Sequence, residues 1–375
     1  MKILLAPDSF KGTLSATEVC ALLKETILAV SPDAAVTSLP IADGGEGTVD
    51  AFLQIFGGKR VTVRACSPLQ GEVDAAYAIL PDGTAVIETA AASGIAVEAK
   101  NDALNASTFG TGELLRDALD HGSEKILFGL GGSATTDGGT GLLSALGARF
   151  LDGDGNELAP GGAALEGLHR IDLSGLDKRL CKAEITVLCD VDNPLFGPRG
   201  AAAVFAPQKG ADPAAVEQLD KGLRRLAEVS VRTLGKDFSL EKGAGAAGGL
   251  GFACLAFLGA HLTPGIDCIL DAAHFAELAQ TADLVITGEG KMDAQSLMGK
   301  APFGVAKRSG KARVIAIVGL LDAEESEIRN AGIAAVYETN PAHLPFEQIR
   351  GRAKEDFLAA AKRMWSSEQA RLTGH

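Results

Sequence analysis

The first residues able to do chemistry follow the apolar run at the N-terminus, in the segment KILLAPDSFKGTLSATEV. It places an acid, a hydroxyl group and a lysine close together, at Asp8, Ser9 and Lys11. Ser15 and Glu18 have the spacing of a capping box, which predicts that a helix begins directly after Ser15. The polar segment would then lie between the carboxyl end of a strand and the N-terminus of a helix, where anions bind in open α/β sheets. We expect Lys11 to contact a phosphate there; the alternative is a loop lysine that only faces water.

A second acid follows the next apolar run, in the segment IADGGEGT. Asp43 is expected to cap the following helix, with Glu46 three residues later. If the two strands are neighbours, Asp8 and Asp43 lie at the same edge of the sheet, and two carboxylates that face a phosphate need a cation between them. Mg²⁺ is the expected ion, because it binds to one or two carboxylates and to phosphate oxygens. The alternative is that Asp43 only caps the helix.

The third segment, LFGLGGSATTDGGTG, passes from a strand through glycines to a helix. Gly129, Gly131 and Ala134 match the G-x-G-x-x-G/A fingerprint of dinucleotide sites, but the acids about 20 residues further on, Asp152 and Asp154, have the pattern of a turn. A nicotinamide-dependent oxidoreductase, using NAD(P), is therefore kept only as an alternative. We expect instead a cradle of backbone N–H groups and hydroxyl groups around an anion. Its expected members are Gly131, Gly132, Ser133, Thr135, Thr136 and Asp137.

Two further segments carry acids at strand-like runs. In CDVDNPLFGPRG, Asp190 and Asp192 follow such a run, although short Asp/Asn turns often have only a structural role. Arg199 and Lys209 come next, in polar loops that could reach an anion or simply face water. In VITGEGKMDAQSLMGKAP a strand is expected to end in Gly-x-Gly, with charged residues there and behind it. These residues are Glu289, Lys291, Asp293 and Lys300.

Acids, lysines and glycines at several strand ends together favour phosphoryl transfer. That reaction needs Mg²⁺, a cationic clamp, N–H groups around the phosphates, and a carboxylate that orients or deprotonates the acceptor hydroxyl. The sequence contains no Walker motif, no G-x-S-x-G nucleophile elbow and no H-E-x-x-H zinc motif. The six histidines are scattered, and none is given a role.

The elements that must position these segments alternate between strand and helix at both ends of the chain, which predicts a parallel sheet. Between the ends, RVTVRA, EVDAAYAIL and TAVIETA are strand-like runs joined by turns, and they predict an antiparallel section. We therefore predict an α/β protein of two domains. Residues 1–61 with 276–375 would form a doubly wound domain, split by an inserted mixed α/β domain at residues 62–275.

Composition narrows the classes of partner. The 375 residues carry a net charge of −13, which argues against nucleic acid or an anionic membrane as the main partner. The 46 glycines, about 12% against a usual ~7%, indicate turns or close approach of the backbone to a ligand. The six cysteines lack zinc-site or disulfide spacing, which favours the reducing cytoplasm. The uncharged stretch 243–260 contains six glycines and is predicted to be a loop entering a buried helix, not a membrane span.

Taken together, the segments resemble the bacterial type 1 glycerate kinases. The similarity rests on APDSFKG, ADGGEGT, GLGGSATTDGG, CDVDNPLFG with FAPQKGA, GAGAAGGLG and TGEGKMDAQSLMGKAP, in this order. It implies ATP-dependent phosphorylation of D-glycerate with Mg²⁺, with 2-phosphoglycerate favoured over 3-phosphoglycerate. It also implies a flavodoxin-like domain split by an insertion, with the site in the cleft between the domains. In this family Asn would be expected where Thr136 stands and Arg where Lys291 stands.

The positions of these motifs supply the site candidates. Asp8, Lys11, Asp43 and Asp190 are the expected catalytic residues, and Asp8 and Asp43 are also the expected ligands of Mg²⁺. A non-catalytic glycerate- or nucleotide-binding protein is the other alternative, and a homodimer is left open. The residues expected to bind the cofactor ATP are Ser9, Gly131, Gly132, Ser133, Thr135, Asp137, Glu289 and Lys291.

Overall fold

The computed structural model describes residues 1–10, 12–42, 44–293 and 301–373. Three residues given a role above, Lys11, Asp43 and Lys300, lie outside these ranges.

Within the described ranges the chain forms strands and α-helices, joined by loops and short 3₁₀ turns. The strands are β1 (Lys2–Pro7), β2 (Ala35–Ser38), β3 (Lys59–Cys66), β4 (Glu72–Ile79), β5 (Ala85–Glu88), β6 (Lys125–Gly129), β7 (Arg149–Leu151), β8 (Arg170–Asp172), β9 (Glu184–Leu188), β10 (His261–Thr263), β11 (Leu284–Asp293), β12 (Arg313–Asp322) and β13 (Ile333–Glu338). The helices are α1 (Ala16–Val30), α2 (Thr48–Phe56), α3 (Thr89–Ser93), α4 (Phe109–Asp120), α5 (Thr140–Ala145), α6 (Ala201–Phe205), α7 (Pro213–Leu234), α8 (Ala246–Phe257), α9 (Gly265–Ala272), α10 (Phe275–Gln280), α11 (Ala301–Arg308), α12 (Glu325–Asn330), α13 (Phe346–Ile349) and α14 (Ala353–Thr373).

Contacts within the chain divide it into two compact units. Unit 1 is Met1–Asp43 with Ile266–His375, and unit 2 is Gly44–Gly265. Both limits come earlier in the chain than the expected domain boundaries at 61/62 and 275/276. The first limit is early because helix α2 contacts β4 and β5, which are strands of unit 2. That independently folding domains meet at 61/62 and 275/276 stays a prediction.

Unit 1 contains a five-stranded parallel sheet in the order β13-β12-β11-β1-β2. When these five strands are numbered 1 to 5 in chain order and the sheet is read from β2, the order is 2-1-3-4-5. This is the strand order of flavodoxin-like folds. The predicted doubly wound, flavodoxin-like fold is therefore confirmed. The register sets Pro7, the last residue of β1, opposite Gly288, and β11 continues beyond this point to Asp293.

The buried face of this sheet explains why its helices form where they do. Leu5 packs with Ile286 and Ile315 against apolar residues of α1 and α14. Helix α1 begins at Ala16, as predicted, because its capping box forms. Glu18 N donates to Ser15 Oγ at 3.2 Å, and Ser15 N donates to a Glu18 carboxylate oxygen at 2.9 Å.

Unit 2 contains a six-stranded mixed sheet in the order β10-β9-β6-β5-β4-β3. Strands β10, β9, β6 and β5 are parallel, whereas β4 pairs antiparallel with both β5 and β3. The predicted antiparallel section is confirmed. The register aligns Glu88, Gly129 and Leu188, so β5, β6 and β9 end at the same edge of the sheet.

Helix α8 lies in the uncharged stretch 243–260. Its first turn contains Ala247, Gly248 and Gly249 at φ values of 50°, 68° and 93°, a loop-like path that continues into a buried helix. This agrees with the predicted glycine-rich loop entering a buried helix. In the part of the chain that the structure describes, no helix is long and apolar enough to cross a membrane.

Candidate active site

The polar segment after β1 begins with a buried acid. Asp8 N donates to Gly288 O at 2.8 Å, which extends the pairing of β1 with β11. The Asp8 carboxylate accepts a hydrogen bond from Ser9 N at 2.6 Å, and its side chain is almost fully buried. The structure thus places Asp8 and Ser9 at the carboxyl edge of the unit 1 sheet, as the sequence predicted.

Glu289 and Lys291 lie on β11 itself. The sequence predicted that this strand ends in Gly-x-Gly, and this is wrong, because β11 pairs with β12 as far as Asp293. Glu289 is buried. The Lys291 amine lies 2.9 Å from a carboxylate oxygen of Asp322 and 3.5 Å from one of Asp293. The hydrogen bond to Asp322 is the main reason why the pKa of Lys291 is raised.

Asp8, Ser9, Glu289 and Lys291 line one pocket of about 350 Å³ in unit 1. Polar side chains come from the segment after β1, from β11 and from the chain after β13, and apolar side chains come from the loop after β1, from β12 and from the chain after β13. The apolar residues are Phe10, Leu14, Leu320, Leu344, Phe346, Ile349 and Ala353. The structure therefore brings together four of the residues that the sequence predicted for the site.

The loop before α2 differs from its prediction. Asp43 was expected to be the cap of this helix, but α2 begins at Thr48 and its N-cap is Gly47, with φ of 93° and no side-chain cap. Asp43 itself lies outside the described residues, so its expected contact with Mg²⁺ stays a prediction. The N-terminus of α2 is capped instead by Glu88, whose carboxylate accepts a hydrogen bond from Val49 N at 2.5 Å.

Glu88 is a buried acid that sequence reasoning missed. It ends β5, a strand predicted to run on to Ala90, whereas the chain turns into α3 at Thr89. Burial raises the pKa of Glu88 to about 7, while the N–H groups of Val49 and Gly47 oppose this rise. Its signal in the sequence was an acid at the end of an apolar strand, the same pattern that singled out Asp8.

The glycine-rich segment after β6 folds as a loop in close contact with other backbone of unit 2. Gly131 N donates to Gly44 O at 3.0 Å, and a side chain at Gly131 would place its Cβ 2.5 Å from Gly45 Cα. The helix that follows, α5, begins only at Thr140. A dinucleotide fingerprint requires the helix to start within the glycine motif, so the match at Gly129–Ala134 does not have the required structure.

Asp137 organises this loop from inside. Its fully buried carboxylate accepts hydrogen bonds from Thr108 N and Oγ1, both at 2.8 Å, and from Gly139 N and Gly141 N at 3.0 and 3.2 Å. Burial raises the pKa of Asp137, and these hydrogen bonds oppose the rise. The nearby hydroxyl groups of Thr135 and Thr136 are also buried, with no hydrogen-bond partner among the described residues.

The burial of Lys209 is the second feature that sequence reasoning missed. This lysine was expected in a polar loop, exposed or reaching an anion, but only 2% of it is exposed. Its Nζ donates to Ser133 Oγ at 3.0 Å and to Thr135 O at 2.6 Å. Burial lowers the pKa of the amine to about 7, and the charge of Asp137 opposes this. The available signal was its place in FAPQKGA, one of the segments that carry the family resemblance.

Asp190 follows β9 and lies at the same sheet edge as the loop after β6. Its carboxylate accepts a hydrogen bond from Gly265 N at 3.0 Å, and its side chain is exposed. Asp192 instead pairs with Arg199 at 3.1 Å on the surface. Unit 2 therefore gathers Gly131, Gly132, Ser133 and Asp190 at one sheet edge, with the Lys209 amine held by the same loop.

Among residues 1–10, 12–42, 44–293 and 301–373 there is no group of three or more His, Cys, Asp or Glu side chains positioned to hold a metal ion. A Mg²⁺ ion in a nucleotide site is usually held by one or two carboxylates, with the remaining positions filled by phosphate oxygens and water. Asp8 directly follows β1 and Glu289 lies within the neighbouring strand β11; their two carboxylates line one pocket and supply the donors that such an ion needs.

Comparison with known proteins adds independent information. Residues 3–367 match the model of the glycerate kinase family. The chain is 46% identical over 360 residues to a glycerate kinase of Bacillus subtilis, covering 95% of this chain and 94% of that protein. It is 46% identical over 342 residues to a glycerate 2-kinase of Escherichia coli, covering 90% of each. A crystal structure described as putative glycerate kinase 2 from Salmonella typhimurium LT2 matches with a TM-score of 0.84 and 44% identity, covering 100% of this chain and 99% of that one.

Proposed function

Because this chain belongs to the glycerate kinase family, we propose that it transfers the γ-phosphoryl group of ATP to a hydroxyl group of D-glycerate. We propose the type 1 class and 2-phosphoglycerate as the product, with 3-phosphoglycerate as the alternative. ATP and Mg²⁺ as cofactors and a place in the cytoplasm belong to the same proposal.

The observation that supports this reaction best is the pocket of unit 1. Two buried carboxylates, Asp8 and Glu289, line it beside the Ser9 hydroxyl, at the strand edge where ligands bind in open α/β sheets. Carboxylates alone would repel a triphosphate, so they favour a site shared with a divalent cation. Asp8 and Glu289 would hold Mg²⁺, and the ion would neutralise charge on the phosphates. Lys11 and Asp43 lie outside the described residues, and we keep both as proposed members of this site.

The loop of unit 2 would serve the anionic groups of the reactants. The backbone of Gly131 and Gly132 and the hydroxyl of Ser133 would supply hydrogen-bond donors, and Asp190 would be available to orient or deprotonate the acceptor hydroxyl. Thr135 and Asp137, which are fully buried, would act by shaping this loop. Asp8, Lys11, Asp43 and Asp190 stay the proposed catalytic residues.

The test is an initial-rate assay of ADP release by the purified chain. We expect release only when ATP, D-glycerate and Mg²⁺ are all present, and a large loss of kcat in Asp8→Asn. Binding of ATP or glycerate without ADP release would indicate a non-catalytic binding protein. Glycerate-dependent reduction of NAD(P)⁺, followed by absorbance, would indicate an oxidoreductase.

A further inference from the structure

The pocket of unit 1 contains more apolar surface than phosphate groups require. We propose that it binds the adenosine part of ATP, with the base against the ring of Phe346. This inference rests on the proposed function and assigns the nucleotide to a particular site in this chain.

Size and chemistry separate the two substrates. A pocket of about 350 Å³ falls within the usual range for small organic ligands, about 300–1,000 Å³. D-Glycerate has three carbons, a carboxylate and two hydroxyl groups, so it would fill a small part of this space and leave the apolar walls uncovered. A nucleoside has a flat apolar face and a polar edge, which matches both kinds of lining residue.

The apolar wall is exposed where a ligand could cover it. Phe346 and Leu344 expose 45% and 37% of their surfaces, and both line the pocket beside Phe10 and Leu14. A ligand that covers large apolar side chains removes their surface from water, and this transfer is favourable in free energy. An aromatic ring accepts any nucleobase face, because every base has a π-face that stacks.

The structure holds this wall in place from two directions. Gly12 lies against the Phe346 ring at a φ of +78°, and a Cβ at Gly12 would sit 2.9 Å from Phe346 Cζ. Asn340 closes the turn that presents Leu344, since its Nδ2 donates to Leu344 O and its Oδ1 accepts from Leu344 N, both at 3.0 Å. The wall is therefore preformed, which lowers the entropy cost of binding.

The polar lining residues lie where the rest of the nucleotide would extend. Asp8 and Ser9 directly follow β1, and Glu289 and Lys291 lie on the neighbouring strand β11, in the same pocket. A base at Phe346 and phosphates near Asp8 and Glu289 would use both the apolar and the polar side chains of the lining. The geometry thus assigns the two ends of one ligand to the two chemically different parts of one pocket.

The test compares Phe346→Ala and Leu344→Ala with a matched control, Leu278→Ala. Leu278 also exposes 37% of its surface, but it lies on α10 of the same unit, outside the pocket lining. Binding of ADP is measured by isothermal titration calorimetry, and KM values for ATP and D-glycerate come from initial rates. We expect Phe346→Ala to raise the Kd for ADP and the KM for ATP by about 5- to 100-fold. The KM for D-glycerate should stay within about twofold, and Phe346→Trp and Leu278→Ala should behave like the wild type.

Three outcomes would overturn the inference. If the wild type phosphorylates glycerate and Phe346→Ala and Leu344→Ala bind ADP as tightly as it does, the base binds elsewhere and only this inference fails. If the variants raise the KM for D-glycerate instead, the pocket holds the hydroxy acid. A wild type that binds no ADP and forms no product refutes the proposed function as well. Melting temperatures show whether each variant is folded; if Phe346→Ala unfolds, Leu344→Ala provides the same readout.

Discussion

Replacement of Lys209 by Met removes a buried amine and its two hydrogen bonds but keeps a side chain of similar length. In the folded chain, burial lowers the pKa of this amine from 10.5 to about 7. Between these two pH values the unfolded chain holds a proton that the folded chain has lost. The free energy of unfolding therefore rises with pH across this window, and the cost of burying the charge is present in full below pH 7.

The size of the effect follows from the pKa values. A difference of one pKa unit corresponds to about 1.4 kcal/mol, so the fall from 10.5 to about 7 amounts to about 5 kcal/mol. Between about pH 7 and 9 the wild type should gain about 3 kcal/mol relative to Lys209→Met. The variant also leaves Ser133 Oγ and Thr135 O without their donor, at about 1–3 kcal/mol for each buried group. At about pH 9 the wild type should thus be clearly more stable than Lys209→Met. At about pH 7 much of this difference in stability should be lost.

The assay is urea denaturation of both proteins at about pH 7, 8 and 9, followed by far-UV circular dichroism. The single tryptophan, Trp365, reports on unit 1, whereas Lys209 lies in unit 2. Coincidence of the fluorescence and dichroism transitions would show whether the chain unfolds in one step. Lys221→Met is the control, because Lys221 is an exposed lysine on α7 paired with Glu217. Its difference from the wild type should stay constant over the same pH range.

Parallel stability curves for the wild type and Lys209→Met over this range would refute the reasoning. They would mean that the amine keeps a pKa near that of an exposed lysine in the folded chain. The loop after β6 would then contain a buried charge, and not an amine that loses its proton above about pH 7.

Three further predictions concern unit 2. Glu88→Gln keeps an acceptor for Val49 N. Because burial raises the pKa of Glu88 from 4.5 to about 7, the free energy of unfolding of the wild type should fall by about 3 kcal/mol relative to that of the variant as the pH rises between these two values. Urea titrations in which both proteins respond to pH in the same way would contradict this. Gly131→Ala should destabilise the chain by about 1–3 kcal/mol, since its Cβ would meet backbone at Gly45, and an unchanged melting temperature would show that the loop can move away. Ser133→Ala should lower kcat/KM by about tenfold or more, if its hydroxyl donates to a reactant. Because it also removes an acceptor of the buried Lys209 amine, its melting temperature should fall as well. A folded variant of normal activity would exclude the contact with a reactant.

Local signals in the sequence were sufficient for much of the fold. Ser15 and Glu18 determined the start of α1, because both partners of a capping box lie within one turn of helix. The alternation of strands and helices at both ends of the chain indicated the sheet of unit 1. The strand-like runs RVTVRA, EVDAAYAIL and TAVIETA, joined by turns, indicated the antiparallel strands of unit 2. The strand at Gly288–Gly290 was cut short in the prediction, because glycine usually marks a turn, whereas here β12 pairs with it in register.

The parts of the site that depend on tertiary burial could not be predicted. Lys209 follows Pro and Gln and precedes Gly, a pattern typical of an exposed loop, and only the packing of unit 2 buries it. Glu88 was hidden within a strand-like run that in fact turns into α3. Asp137 was expected to face a ligand, but four hydrogen bonds within unit 2 occupy its carboxylate. Side-chain partners that lie far apart in sequence leave no periodic pattern.

The most direct test of the central claim is ³¹P NMR of a reaction that contains the purified chain, ATP, Mg²⁺ and D-glycerate. We predict that the ATP signals are replaced by those of ADP and 2-phosphoglycerate, in equal amounts and only when glycerate is present. A product signal from 3-phosphoglycerate alone would contradict the proposed site of phosphorylation. The absence of any phosphoglycerate, from a chain shown to be folded, would contradict the claim that it is a glycerate kinase.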